Sequence, residues 1–397
     1  MQKICIPKEE FQQRIDKIKE YMTKEQLDVI LVYGDEYRKE NLRYVSNYWP
    51  IFERGALLIT TEGEPIVLCA PEGEQVAREM SVWPDVRLVP DFLCVTVPDE
   101  IEYPLAKFTS FKSLAAELRS RTGLSRLGIA GMDAMSEALL HNIREAFGCQ
   151  VVDSNEILFE LRKTKSENEI ACLREAARIA EAGFRAMMDA DLVGKTERYA
   201  AGIAEGTARK EGAEAIIFTV FGSGERSARI VGRAENKVIE DGDMLMCAMA
   251  VQYEGYVATC ELPFAVGNYG EETRYVLDVL IHAAAAGLPY LKAGVPMKDF
   301  VCAVRNYFRD AGLSEYDVYP PLHGIGCAEA ESPYPDEKTE DVFQEGMTVN
   351  TDISLFGLPG GSNRIEEGFV ITKDGADSLF PSMRVYYEEW LKNSENK

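Results

Sequence analysis

The sequence predicts an α/β protein of two domains, an N-terminal mixed α/β domain followed by a C-terminal domain built as a pseudo-twofold α-α-β repeat. Three observations predict it. The chain has 397 residues, more than one ordinary domain holds. Its first 155 or so residues alternate short apolar runs with amphipathic segments. In its second half, two helical hairpins marked by glycines recur 100 residues apart, each followed by a strand-rich stretch.

In chain order, Lys8 to Thr23 reads as an amphipathic helix. Val29-Ile30-Leu31-Val32-Tyr33 is a short apolar run suited to a buried strand. Ala56–Thr60 and Pro65–Cys69 flank Glu62-Gly63-Glu64, a hairpin with Gly in its turn. Phe111 to Thr122 is a second amphipathic helix. A domain boundary is expected near Glu160, giving domains 1–160 and 161–397, with Leu161-Arg162-Lys163-Thr164-Lys165 as a polar link.

Ser166 and Glu169 then have capping-box spacing. The helix beyond carries Ile170, Leu173, Ala177, Ala180 and Phe184 on one face. Helix 170–189 is followed by Gly194 and a helix closing at Gly212; helix 272–288 is followed by Gly294 and a helix closing at Gly312. Strand-rich stretches 214–265 and 317–373 complete the two units, and a site is expected between the halves.

Composition bounds the partners. Lys plus Arg is 43 and Asp plus Glu is 66, a net charge of −23. That balance excludes the basic footprint of nucleic-acid and anionic-membrane binding. No run of eighteen apolar residues occurs, so no membrane span is expected. The nine cysteines are odd in number and never spaced Cys-x-x-Cys, which argues against a disulfide framework or a zinc knuckle. With acidic residues where a signal peptide has its apolar core, the expected location is the cytoplasm.

Four segments of the second half carry candidate chemistry. Asp241–Ala248 runs into Tyr253–Phe264 as a hairpin turning at Glu254-Gly255. Leu322-His323-Gly324-Ile325-Gly326 sets a lone His among glycines, which permit close approach of a ligand. Gly346–Asp352 places Asp352 in an apolar strand, where an unpartnered charge is costly. Asn363–Thr372 alternates Arg364 and Glu366 on one face with Ile365 and Glu367 on the other. Glu261 likewise stands between Cys260 and Leu262.

These segments resemble the signature strands of the pita-bread fold shared by creatinase, prolidase, aminopeptidase P and methionine aminopeptidase. The entry helix from Arg162 to Ala176 is also similar, and Asn41-Leu42-Arg43-Tyr44-Val45 carries a weaker likeness in the first half. The resemblance implies an N-terminal creatinase/prolidase-type domain and a C-terminal catalytic domain of peptidase family M24. The group's metallopeptidases hold two ions with two Asp, one His and two Glu. The resemblance puts Ala248 and Thr259 at the two Asp positions, His323 at the His, Asp352 at the first Glu and Glu366 at the second. Ala330 stands where a second His usually follows, and Val231 where another usually precedes.

With those ligands gone, the resemblance is closest to creatinase, which works without metal. It implies His323, Glu261, Glu366 and Asp352 as catalytic residues, and Phe52, Arg54 and Arg364 as substrate-binding residues. In creatinase a Phe-x-Arg element reaches the partner subunit's site, so Phe52-Glu53-Arg54 implies a homodimer. An anionic pocket suits a guanidinium, amidinium or ammonium group, and Arg54 suits a carboxylate. The expectation is a metal-independent hydrolase cleaving a C–N bond in a small zwitterionic guanidino, amidino or cyclic amidine compound, with no cofactor. A single weakly held divalent ion on His323, Asp352 and Glu366 stays open. The rival readings are an Xaa-Pro dipeptidase or aminopeptidase retaining one metal, and a non-catalytic binding protein on the same scaffold.

Overall fold

A computed structural model describes residues 4–93, 107–121 and 123–395. The chain divides into two compact units, Ile6–Arg162 and Met1–Cys5 with Lys163–Lys397.

The first unit runs α1 (Lys8–Glu25), β1 (Val29–Asp35), α2 (Glu40–Ser46), β2 (Arg54–Thr60), β3 (Ile66–Cys69), α3 (Glu74–Met80), β4 (Asp85–Leu88), α4 (Phe111–Arg121), β5 (Arg126–Ala130), α5 (Glu137–Phe147), β6 (Gln150–Asp153) and α6 (Asn155–Lys163). Its six strands form one mixed sheet in the order β4-β3-β2-β1-β5-β6. The expected hairpin is there: β2 and β3 pair antiparallel, and Gly63 takes φ +82° in the turn. Helix α1 buries Phe11, Ile15, Ile18 and Met22, the stripe its period dictates. Thr122, expected to end α4, lies outside the described residues.

The polar link needs correcting. Helix α6 continues to Lys163, and Arg162 is buried with its Nη1 donating to Asn41 Oδ1 at 2.6 Å. Lys165 is buried too: its Nζ pairs with Glu331 Oε1 at 2.7 Å. Charge on these residues marks buried pairing, not solvation.

The second unit continues with α7 (Glu167–Met188), α8 (Glu197–Lys210), β7 (Ala215–Ser223), β8 (Met244–Tyr253), β9 (Tyr256–Cys260) and β10 (Phe264–Ala265). It then repeats the plan with α9 (Glu271–Gly287), α10 (Met297–Asp310), β11 (Leu322–Gly324), β12 (Thr348–Leu358) and β13 (Gly361–Ile371), closing with β14 (Ala376–Ser378) and α11 (Pro381–Glu395). Ser166 caps α7 in a full capping box with Glu169. The repeat is written in the backbone. Gly194 and Gly294 take φ +80° and +83°, and Gly212 and Gly312 take +108° and +74°. All four are in the left-handed region that a Cβ disfavours, so both hairpins need glycine at equivalent turns. The β8–β9 turn has Glu254 and Gly255 both at positive φ, as a two-residue hairpin requires.

Each repeat supplies a four-stranded sheet: β7, β8, β9 and β10 in one, β11-β12-β13-β14 in the other. The two sheets meet just past β9. There Glu261 N donates to Glu366 O at 3.2 Å and Glu366 N donates to Glu261 O at 3.1 Å. Among the described residues no helix is long and apolar enough to cross a membrane.

One buried acid fastens the first repeat. Glu197, at the start of α8, is fully buried and accepts from Ser223 N, Ser223 Oγ, Arg226 Nε and Glu235 N at 2.9 to 3.0 Å. Burial raises its pKa, but the Arg226 and backbone hydrogen bonds outweigh burial and hold it below the usual carboxylate value. A lowered folded-state pKa means stability that is present above the unfolded pKa, near 4.3, and lost as pH falls through the folded value. Glu197→Gln is therefore expected to cost about 1.5–3 kcal/mol at pH 7. The gap to wild type in urea midpoint should narrow below about pH 4. An equal gap at pH 7 and pH 3 refutes the assignment.

Candidate active site

Strand register brings the predicted residues to one face. On β12 and β13, Asp352 is the cross-strand partner of Glu366, and Ser354 of Arg364. On β11 and β12, His323 is the partner of Asn350. Asn350, Asp352 and Ser354 alternate along one side of β12, so His323, Arg364 and Glu366 join them there. The other side of β13 carries Glu367, whose carboxylate takes Arg384 Nη1 at 3.0 Å and Ser378 Oγ at 2.6 Å.

Arg364 is the centre of the cluster. Its Nε donates to Glu261 Oε2 at 2.6 Å and lies 3.5 Å from Asp352 Oδ1, and its Nη2 lies 2.9 Å from Glu366 Oε1. All four side chains are at most 4% exposed. Asn350 Nδ2 donates to Glu366 Oε2 at 3.2 Å. Glu261 Oε1 and Asp352 Oδ1 are buried and accept no hydrogen bond from the described residues.

His323 and a residue that the sequence analysis passed over, Glu329, form the neighbouring wall. His323 Nδ1 lies 2.9 Å from Gly324 O, so the tautomer that donates there leaves the Nε2 lone pair free. Nε2 stands 3.8 Å from Glu329 Oε1. Thr259 Oγ1 donates to the same oxygen at 3.4 Å. Lys165 and Glu331 hold the loop that carries Glu329, and Ala328 N adds a hydrogen bond to Glu331 Oε2 at 3.3 Å.

These groups open on a cavity of about 960 Å³, a volume suited to a small molecule. Its lining includes His323, Glu329, Asp352, Arg364 and Glu366, with Tyr319, Arg305 and Tyr334. Val231 and Ala330, where the resemblance expects imidazoles, also line it. Glu261 lies behind Arg364 with no exposure. Of the two positions where the resemblance expects Asp, Ala248 is fully buried and offers no donor atom, and Thr259 offers a hydroxyl.

The electrostatics follow from crowding. Burial pushes the Glu261 carboxyl up to about 7, with Arg364 opposing and Glu366 adding. Burial and then Glu366 push Asp352 well above its ordinary value. Burial and Glu366 likewise raise Glu329, against His323 and Arg364. The same environment keeps Arg364 firmly protonated, through Glu261, Glu366 and Asp352, despite its burial. The cavity therefore has a surplus of acids over cations, and it favours bound protons or a bound cation.

Phe52 and Arg54 belong to the N-terminal unit. Phe52 is 45% exposed; Arg54 opens β2, half-buried, and its Nη1 donates to Leu93 O at 3.1 Å. Three site residues escaped the sequence analysis. Glu329 and Glu331 alternate in Ala328-Glu329-Ala330-Glu331, six and eight residues past His323, and that acidic pair in a glycine-flanked loop was the available signal. Asn350 left no signal beyond a polar residue in an apolar strand.

Removing Arg364 tests the electrostatic centre. Arg364→Met strips the counter-charge from three buried acids and is expected to cost about 3–5 kcal/mol in urea unfolding at pH 7. The cost should shrink on acidification, as the acids take up protons. A loss below about 1 kcal/mol, the worth of a surface pair, refutes the buried triad.

Residues 171–373 match the model of metallopeptidase family M24, and residues 14–164 match that of the creatinase/prolidase N-terminal domain. The Xaa-Pro dipeptidase of Pyrococcus horikoshii is 26% identical over 375 residues, covering 94% of this chain and 98% of that protein. That of Pyrococcus furiosus is 25% identical, covering 94% and 99%. The crystal structure of the prolidase from Pyrococcus horikoshii OT3 superposes with a TM-score of 0.78 at 25% identity, over 92% of this chain and 97% of that one. These matches overturn two expectations. A metal-free hydrolase of guanidino or amidino compounds does not stand, because full-length relatives are Xaa-Pro dipeptidases of a metallopeptidase family. The expectation of no cofactor falls with it. The chain belongs to metallopeptidase family M24, with the pita-bread fold, and is a hydrolase of C–N bonds.

Proposed function

We propose that this chain hydrolyses small dipeptides of the Xaa-Pro type in the cavity around His323, and that it works with one divalent ion instead of two. The observation that carries this reading is the join of His323, Asp352 and Glu366 in one cavity of an M24 chain, with Asp352 Oδ1 accepting no hydrogen bond.

The pair of ions does not fit these residues. Ala248 has no donor, and Thr259 has a neutral hydroxyl turned to Glu329. One ion does fit the donor chemistry: an imidazole nitrogen and carboxylate oxygens, with anionic charge in surplus. His323, Asp352 and Glu366 would hold it. Among the described residues no three such groups form a ready cage, since Arg364 also holds Asp352 and Glu366. An ion has to share those oxygens with the guanidinium, so affinity is expected to be weak.

When bound, the ion supplies Lewis-acid polarisation of the scissile carbonyl. The rest falls to the chain's own side chains. The acidic lining attracts the ammonium end of a dipeptide. Arg364 fixes the rotamers of Glu366 and Asp352, so their oxygens need little reorganisation. Tyr319 packs its ring 5.9 Å from the Arg364 guanidinium carbon. Arg54, contributed by a second copy in a homodimer, is the proposed anchor of the substrate carboxylate, with Phe52 beside it. Free thiols at the described cysteines suit the cytoplasm, where we place the enzyme.

Two measurements test the reading. Purified protein should cleave members of an Xaa-Pro panel, lose that activity on chelation, and regain it with about one equivalent of manganese, cobalt or zinc per chain. Undiminished turnover in chelator, or two tightly held ions by elemental analysis, overturns it. Arg54→Ala should raise KM about tenfold or more, the loss of a charge-assisted pair, with little change in kcat. An unchanged KM removes Arg54 from the site.

A further inference from the structure

We infer that Glu329 restores, from a different element, the carboxylate that β9 lacks at Thr259, and that it is a ligand of the single ion. This rests on the one-ion reading above and names a donor which that reading does not include.

The family resemblance puts an acidic ligand at position 259, on β9. Here the position is Thr, paired with Ala250 across β8, and its hydroxyl is nearly fully buried. A carboxylate nevertheless occupies the space in front of it. Glu329 Oε1 accepts from Thr259 Oγ1 at 3.4 Å and stands 3.8 Å from His323 Nε2. One oxygen thus lies within reach of both the vacated ligand position and the retained imidazole. In this chain the carboxylate beside position 259 comes from a loop and not from the strand.

The loop is built to hold it there. Gly326 N donates to Ala328 O at 3.1 Å and Glu331 N to Gly324 O at 2.9 Å, folding 324–331 back on itself. A Cβ at Gly324 would come within 2.4 Å of Ser332 O, so the fold needs glycine there, and one at Gly326 would come within 2.4 Å of Glu331 Oε1 and press on the Lys165–Glu331 pair. The two glutamates of the loop divide their tasks. Glu331 is buried against Lys165, and Glu329 faces the cavity.

A cluster of acids alone does not define a cation site. The independent observation is Asp352, 3% exposed and lining the same cavity, whose Oδ1 accepts no hydrogen bond and has Arg364 Nε no nearer than 3.5 Å. A buried carboxylate oxygen without a hydrogen-bond donor calls for a partner, and a cation is one that fits. With Glu329 the donor set becomes His323, Glu329, Asp352 and Glu366. Thr259 then serves as a neutral hydrogen-bond donor that orients Glu329, and no longer as a ligand.

Cobalt(II) is the probe, read by its visible absorption and by equilibrium dialysis of the whole protein. Wild type should bind about one ion, and Glu329→Gln, nearly the same shape without the charge, should weaken binding by roughly tenfold or more. Thr259→Asp added to Glu329→Gln returns the carboxylate to β9 and should recover most of the affinity. Thermal melts of each variant separate lost binding from lost folding. If wild type binds one ion and Glu329→Gln binds it equally well, this inference is wrong while the one-ion reading stands. If wild type binds no cobalt, the one-ion reading fails and takes Glu329 with it. Weak binding by Glu329→Gln that Thr259→Asp does not recover overturns the exchange of positions.

Discussion

The C-terminal unit depends on what happens where its two sheets touch. Glu261 and Glu366 exchange backbone hydrogen bonds there, and that bridge sets two acids side by side in the interior. Two like charges in a poorly polarisable interior repel by several kcal/mol at short range, far more than a backbone hydrogen bond returns. Arg364 resolves the conflict. It lies two residues before Glu366 on the same strand, so its side chain emerges on the same face and its planar fork reaches both acids. A lysine has one point charge and no fork, and it cannot span the two. The sheet junction and the active-site charge are therefore one structural problem with one solution.

The repeat explains why the junction is where it is. Each half ends in strands that follow an α-α hairpin turned by left-handed glycines. Repeats of this kind bury one face each and leave a seam between them, and a seam collects residues from both halves. His323, Asp352 and Glu366 come from the second sheet, while Thr259 comes from the end of β9 in the first and Glu261 from just past it. The rigidity of long strands matters here. β12 and β13 pair with unbroken register from Thr348 to Leu355, so Asp352 and Glu366 have little freedom to drift apart.

What the sequence made legible, and what it hid, divides along physical lines. Local signals were readable: the capping box at Ser166, the hairpin turns at Gly63 and at Glu254-Gly255, the glycine-marked repeat, and the alternation that puts Arg364 with Glu366. Each depends on neighbours a few residues apart. Lys165 illustrates the opposite case. Within Leu161–Lys165 it looks solvated, but its partner Glu331 is 166 residues away, and only the fold brings them together. Glu329 was hidden for the same reason, because its meaning depends on Thr259, 70 residues earlier. Helix α6 running into the expected link as far as Lys163 is a milder instance, since a charged stretch can be helical when a buried acceptor such as Asn41 waits for it.

The misjudged cofactor has a more specific cause. Counting ligand positions registers Ala248 and Thr259 as two losses and stops there. Charge is the better quantity to follow, because a cation responds to the field and to available oxygens and is indifferent to which strand supplies them. Judged by charge, the cavity lining holds Glu205, Glu329, Asp336, Asp352 and Glu366, with Glu261 behind them, against the guanidiniums of Arg233, Arg305 and Arg364. Glu261 is neutralised by Arg364 at 2.6 Å, the tightest contact of the set. Glu329, Asp352 and Glu366 line the cavity together with His323. Such a site is unstable as a set of bare charges, so it must carry protons, an ion or a cationic substrate group. A chain that had simply lost its metal would have no reason to hold this much buried acid in place. That surplus is what a divalent ion or the ammonium end of a substrate would meet in the cavity.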